Sequence, residues 1–194
     1  MSLPLPDKKF SIIYADPAWT FKVYSPKGKD RSAENHYRCS SLKEMKELPV
    51  GDISAEDCTL FMWATYPNLE EAFELLEAWG FTYKTVAFTW VKQNKKKDSF
   101  FLGLGYWTRA NPEICLLATK GKPKRLSRAV RNLVVSKLRA HSQKPDEVRE
   151  RIVELCGDLS RIELFARDHV EGWDVWGLEA PERIKPNSKG VDKQ

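Results

Sequence analysis

Short apolar runs alternate with amphipathic stretches along this chain, and the two periodicities separate strands from helices. Phe10 to Tyr14 (FSIIY) is an apolar run that stops at the turn-forming pair Asp16-Pro17, which predicts a first strand. Thr59 to Ala64 (TLFMWA) is apolar at every position, the pattern of a strand buried on both faces of a parallel sheet. Tyr83 to Val91, Glu113 to Thr119, Asn132 to Leu138 and Arg161 to Ala166 read as four more strands, and the pattern predicts none after them. Ser41 and Glu44 have the spacing of a capping box ahead of a brief helix, Leu42 to Leu48. Asn68 and Glu71 repeat that pairing before Leu69, Ala72, Phe73, Leu76 and Trp79 at helical spacing, with Gly80 as the stop. Pro145 suits a first helical position and Asp146 and Glu147 suit the positive end of the dipole. Val148, Ile152, Leu155 and Cys156 then form a stripe that Gly157 ends.

Strands interleaved with such helices predict an α/β fold: an open sheet of Rossmann type with helices on both faces and ligands at the carboxyl ends of the strands. No G-x-G-x-x-G occurs, which disfavours a nucleotide-dependent oxidoreductase on that sheet. The chain's 194 residues suit one domain, residues 1–180, followed by a polar frayed tail, 181–194. With 42% hydrophobic and 30% charged residues the chain is neither disordered, collagenous nor disulfide-built. No apolar run approaches the ~18 residues of a membrane span. The first residues, MSLPLPDKKF, lack a secretory signal, so a reducing compartment is expected. Cys39, Cys58, Cys115 and Cys156 include no C-x-x-C, which leaves buried free thiols and no metal site as the expectation.

The net charge of +5 is too small to identify a nucleic-acid binder, and its distribution says more. Lys120 to Arg131 (KGKPKRLSRAVR) holds six basic residues in twelve and no acid. Lys92, Lys95, Lys96 and Lys97 form a second cluster inside Lys92 to Thr108, a stretch too polar and glycine-broken to be regular. Both clusters flank one aromatic, glycine-containing segment and read as mobile basic loops, with a solvated surface as the alternative reading of either.

The segment Tyr14-Ala15-Asp16-Pro17-Ala18-Trp19 puts an acid, a proline and an aromatic just past the first strand. An adenine amino group is a poor nucleophile because its lone pair is delocalised into the ring. It gains reactivity when acceptors engage its hydrogens and its geometry moves toward tetrahedral. The Asp16 carboxylate and the Pro17 carbonyl can be those acceptors, and Trp19 can offer a stacking face to a base drawn from its neighbours.

In this the chain resembles the methyltransferase family of the eukaryotic mRNA adenosine methylation enzymes and their bacterial and phage DNA-modifying relatives, whose motif is Asp-Pro-Pro-Trp. Ala18 replaces the second proline. The resemblance runs from about Phe10 to Gly177. It includes Gly105-Tyr106-Trp107 leading to Glu113-Ile114-Cys115, and the run His141-Ser142-Gln143-Lys144-Pro145-Asp146-Glu147. It closes with Ile162-Glu163-Leu164-Phe165-Ala166-Arg167 and Gly172-Trp173-Asp174-Val175-Trp176-Gly177.

The resemblance implies an S-adenosylmethionine-dependent methyltransferase sheet in permuted order, with the catalytic motif before the cofactor half. It implies methyl transfer to the 6-amino group of adenine in nucleic acid, with DNA preferred over RNA. Asp16, Pro17, Ala18 and Trp19 would be catalytic. Asp16, Lys144, Glu163, Leu164, Arg167, His169, Leu178 and Glu179 would meet the cofactor, Lys144 holding its methionine carboxylate with the amides of the helix start. Without such an anion a lysine at a helix N-terminus conflicts with the dipole. The eukaryotic members have Asn after that histidine and Asn-Gln after the later glycine, where this chain has Val170, Leu178 and Glu179. Tyr37, Trp107, Arg109, Glu113 and Arg139 would contact the target, with Lys95, Lys96, Lys97, Lys124 and Arg125 on phosphates. A cytoplasmic location follows for a bacterial or phage protein and a nuclear one for a eukaryotic protein, with no membrane partner. Homo- and hetero-oligomers both stay open, as does a non-catalytic nucleic-acid-binding subunit, since the family contains degenerate partners.

Overall fold

The computed structural model describes residues 4–19, 41–105, 107–139 and 143–177. Seven strands form one sheet: β1 (Phe10–Ala15), β2 (Ser54–Ala64), β3 (Thr82–Gln93), β4 (Glu113–Lys120), β5 (Leu133–Lys137), β6 (Arg161–Leu164) and β7 (Asp174–Trp176), in the order β5-β3-β4-β2-β1-β6-β7. Four helices accompany it: α1 (Leu42–Lys46), α2 (Val50–Ile53), α3 (Leu69–Ala78) and α4 (Glu147–Cys156). The α/β sheet expected from the sequence is present, and it is mixed. β1 pairs in parallel with β2 and β6, β3 with β5, and β6 with β7, whereas β4 runs antiparallel to both β2 and β3. The apolar run in β2 is therefore a parallel partner on one side and an antiparallel one on the other.

Side chains alternate across the sheet and divide the core in two. Phe10, Ile13 and Ala15 of β1 join Leu60, Met62 and Ala64 of β2 under Met45 of α1 and Ala72, Leu75 and Leu76 of α3. Ile12 and Tyr14 join Phe61 and Trp63 on the other face, under Val148 and Ile152 of α4. Helices thus cover both faces, and the central strands have no polar side to show. That is why their sequences lack a period-2 pattern.

Local signals held with adjustments. The Ser41–Glu44 capping box makes both of its bonds. Asn68 donates to Glu71 at 2.8 Å but does not cap backbone amides, because a 3-10 turn, Tyr66–Asn68, leads into α3. Phe73, expected on the buried stripe, is exposed and meets Tyr83 edge-on at 5.0 Å, while Leu75 takes the core position. Pro145 stands before the N-cap residue Asp146 rather than inside the helix. Helix α2, the early start of β2 at Ser54, and β7 all lie where the apolar pattern was too short to register. Cys58 and Cys115 are free and buried and Cys156 is free and partly buried; Cys39 and the tail 181–194 lie outside the described residues. Among the described residues no helix is long and apolar enough to cross a membrane.

Ile13 and Ile152 belong to different cores on opposite faces. Each change to alanine is expected to cost about 2 to 5 kcal/mol. The double variant should lose the sum to within about 0.5 kcal/mol, since neither cavity touches the other. Urea unfolding of the three variants checks this, and strong coupling would mean that the sheet does not insulate the two cores.

Candidate active site

Because β4 is reversed, its first residue stands at the same sheet edge as the last residues of β1, β2, β3, β5 and β6. The motif begins there. Asp16 follows β1, and its amide reaches the Leu164 carbonyl at 3.5 Å. Lys144, arriving just before α4, donates to Asp16 Oδ2 at 2.6 Å and approaches Glu113 Oε2 at 3.4 Å. Glu113 Oε1 takes a further bond from Lys92 at the end of β3. The Lys144 ammonium also lies 5.6 Å from the Trp63 ring centre. Four charges of alternating sign, Lys92, Glu113, Lys144 and Asp16, thus run across the carboxyl edge.

Burial sets how these groups titrate. It lifts the Asp16 carboxyl above the usual carboxylate range against the pull of Lys144, with Glu113 adding to the rise. Burial pushes Glu113 the same way, but Lys144 and Lys92 together outweigh it and hold that carboxyl low. Burial opposes the Lys144 charge, yet Asp16 and Glu113 raise its pKa above the ordinary lysine value. Lys144 is 8% exposed, and it sits between two acids of the chain itself. A quarter of the Asp16 side chain reaches solvent, and its hydrogen bond to Lys144 uses Oδ2 alone.

Trp19 differs from its expected role. It is 4% exposed, packs in the core beneath the edge, and donates its indole N–H to the Trp63 carbonyl at 3.0 Å. Its amide closes on the Pro17 carbonyl at 2.8 Å, so that carbonyl already carries one bond and keeps one lone pair. Pro17 is buried and Ala18 partly so. The ring is structural packing under the motif and not an open stacking platform.

On the cofactor side, Glu163 is 6% exposed at the end of β6, and Arg149 of α4 grips both its oxygens at 2.7 and 2.8 Å. The guanidinium also lies 5.7 Å from the Tyr14 ring centre. Arg149 escaped the sequence reading because a basic residue on a helix surface looks like any other until its partner is known. Leu164 is buried, Phe165 turns away with φ +62°, Arg167 is half-buried beside Asp16, and His169 is exposed. A Cβ on Gly177 would meet the Ala166 carbonyl at 2.4 Å, so only glycine lets the two segments after β6 and β7 pass this closely. Leu178 and Glu179 lie outside the described residues, as does Tyr37.

On the target side, Lys95, Lys96, Lys97 and Arg109 are exposed in the connection between β3 and β4. Trp107 stands there at 92% exposure with φ +67°, beside a turn so tight that a Cβ on Gly105 would meet the Thr108 carbonyl at 2.0 Å. Trp107 and Phe165 are the non-glycine residues with positive φ among those described, and both flank this edge. Arg139 pairs with Asp146. Lys124 and Arg125 do not join the site. They follow the carboxyl end of β4, and an antiparallel strand delivers that end to the opposite edge of the sheet.

Sheet, edge and motif together define a Rossmann-like methyltransferase. The chain belongs to the MT-A70 family, whose model matches residues 10–179. It is 39% identical over 195 residues to the type II methyltransferase M.MunI of a Mycoplasma species, covering 92% of this chain and 81% of that protein. It is 32% identical over 163 residues to an N(6)-adenosine-methyltransferase MT-A70-like protein of Drosophila melanogaster, covering 83% of this chain and 25% of that protein. With the human N(6)-adenosine-methyltransferase catalytic subunit METTL3 the identity is 30%, over 83% of this chain and 26% of the relative. The chain therefore spans about a quarter of the length of these two eukaryotic relatives.

Removing the guanidinium by Arg149→Met leaves Glu163 buried without its partner, at an expected cost of about 3 to 5 kcal/mol near neutral pH. Burial already raises the Glu163 carboxyl and Arg149 opposes that rise, so the variant raises it further. A raised acid favours the fold below its unfolded pKa and loses that contribution as pH rises through the folded value. The deficit against the parent should therefore shrink between about pH 7 and about pH 5. Denaturant melts at the two pH values check it, and a pH-independent deficit would show that Glu163 is not the group left uncompensated.

Proposed function

We propose that this adenine methyltransferase transfers a methyl group from S-adenosylmethionine to the exocyclic 6-amino group of adenine in DNA. The observation that carries the reading is the Asp16 carboxylate at the carboxyl end of β1, bonded by Lys144 through Oδ2 with a quarter of its side chain in solvent. The choice of DNA rests on the extent of the match: most of a type II methyltransferase against a quarter of the adenosine methyltransferases. A cytoplasmic location goes with a bacterial or phage protein and a nuclear one with a eukaryotic protein.

The donor set suits the cofactor. Glu163, Arg167 and His169 gather where β6 ends, and Glu163 still has lone pairs beyond the two bonds from Arg149. These residues would hold the ribose and adenine, and Lys144 with the amides before α4 would draw the methionine carboxylate. Bound there, the cofactor supplies a methyl group on a sulfonium that leaves as a neutral thioether.

The chain's own residues then have three tasks. Asp16 Oδ1 and the remaining lone pair of the Pro17 carbonyl accept the two amino hydrogens, which turns the nitrogen lone pair out of conjugation and toward the methyl carbon. Lys144 fixes the plane of the Asp16 carboxylate by occupying Oδ2, so the acceptor is oriented before the base arrives. Once the new N–C bond has formed, the amine must shed a proton, and an acid lifted by burial is a better acceptor than an ordinary one. Trp19 anchors the motif from below, and Lys95, Lys96, Lys97 and Arg109 meet phosphates from the connection above.

Transfer of a labelled methyl group to single- and double-stranded DNA and RNA, followed by nucleoside analysis, tests the reading. Label in 6-methyladenine of DNA is expected; nucleic-acid binding with no transfer to any substrate would favour the non-catalytic subunit. Asp16→Asn should slow single-turnover transfer about 100-fold or more, equivalent to ~2.7 kcal/mol, with little change in nucleic-acid affinity. Near-normal turnover by that variant would refute the assignment. Trp19→Ala should show its main effect in thermal unfolding, a loss of about 3 to 5 kcal/mol, because its ring fills core volume.

A further inference from the structure

The basic segment between β4 and β5 is the strongest charged feature that the site leaves unused. Lys122, Lys124, Arg125, Arg128 and Arg131 are all exposed, and among the described residues none of the five takes part in an ion pair. The segment is irregular but tied down through its backbone. The Lys122 amide donates to Asp57 Oδ1 at 2.7 Å, and the Leu126 and Ser127 amides donate to the Leu155 carbonyl at the end of α4 at 2.7 and 3.3 Å. Arg151 donates to the Arg131 and Leu133 carbonyls at 2.9 and 2.8 Å. Two carboxylates touch the segment, Asp57 at the Lys122 amide and Glu154 at the Ser127 hydroxyl (3.4 Å), and neither forms an ion pair with one of the five side chains. Five cations against two carboxylates leave an excess of positive charge held on a fixed ribbon, a self-repulsion that an external polyanion would relieve.

Position says which part of a nucleic acid this ribbon meets. Seven residue steps along β4 separate Glu113 at the motif edge from Lys120 at the far edge, about 23 Å at roughly 3.3 Å per residue. A target base seated against Asp16 cannot reach that far. We propose that Lys122, Lys124, Arg125, Arg128 and Arg131 form a second nucleic-acid surface, separate from the target site, that grips the phosphate backbone of duplex flanking or passing behind the methylated position. The proposal rests on nucleic acid being the substrate. It gives the far edge a sequence-independent role: to hold the enzyme on long duplex between target sites.

The test uses a random-sequence duplex of about 40 base pairs, about 136 Å at 3.4 Å per pair and so long enough to run from the motif edge past the ribbon. The full chain with all five cations changed to Gln is expected to bind it at least tenfold more weakly, with a salt slope lower by about three or more. Lys43→Gln/Lys84→Gln, which removes exposed charge elsewhere, should shift the slope by less than about one. Unchanged affinity and slope in the fivefold variant would overturn the surface, and so would an equal loss per charge in the control. Retained duplex binding with lost binding to phosphatidylserine-containing vesicles would assign the ribbon to a lipid surface instead and overturn it too. Lys124→Glu/Arg125→Glu, at two exposed positions, gives the same reading should the fivefold variant melt early. Failure of the proposed activity is seen separately, as absence of methyl transfer by the parent chain on any nucleic acid.

Discussion

A buried ammonium shared by two carboxylates holds the working edge together. Lys144 is held out of water with Asp16 and Glu113 within ion-pair distance of it, and removing either partner from such a group costs several kcal/mol. Satisfying that one charge fixes three segments: the end of β1, the start of β4 and the approach to α4, although Asp16 and Lys144 are 128 positions apart in the chain. A second pair, Arg149 with Glu163, repeats the device one strand away and ties α4 to β6. The motif therefore rests on a lattice of ions, and the geometry of the Asp16 carboxylate is set by the fold before any ligand arrives.

The reversal of β4 is what makes this arrangement possible. In an all-parallel sheet every strand begins at the edge away from the site, and a residue at a strand start could not face Asp16. β4 runs the other way, so Glu113, its first residue, comes level with the ends of its neighbours. The same reversal sends Lys120 and the cations after it to the far edge. One topological choice thus brings an acid into the site and takes a basic loop out of it.

Much of this was legible in the sequence because it depends on local chemistry. The capping box of α1, the stop at Gly80 and the apolar run Thr59–Ala64 are properties of a few adjacent residues, and each was found, although β2 starts five residues before that run, at Ser54. The Asp16-Pro17 turn at a strand end was legible for the same reason. What could not be placed from the sequence needed knowledge of strand direction or of long-range partners. Lys124 and Arg125 have the composition of a phosphate-binding loop, and composition does not say to which edge of a sheet a loop belongs. Trp19 has the composition of a stacking residue, but its indole N–H finds the Trp63 carbonyl 44 residues away and the ring goes under the sheet. Arg149 carries no local mark at all. β7 has three residues, too few for a period to show.

The charge at the edge is alternated rather than accumulated, and this separates two tasks that a nucleic-acid enzyme must perform. Lys92, Glu113, Lys144 and Asp16 sum to zero, as do Arg149 and Glu163, so these six groups exert little net pull on a polyanion, and Arg167 beside Asp16 adds one positive charge. Outside them Lys95, Lys96 and Lys97 stand exposed, in no ion pair among the described residues. Phosphates held there interact through a high dielectric and release counterions, which gives affinity that salt can tune. In the proposed reaction an amino group at Asp16 would meet oriented acceptors, that carboxylate and the Pro17 carbonyl, in a low dielectric, where salt has little reach and where direction decides the outcome. A positive interior would have tightened binding to any nucleic acid and pulled phosphate, not base, against the motif. On the proposed function, pairing of charge inside the edge would thus let a basic surface deliver a neutral group to a carboxylate.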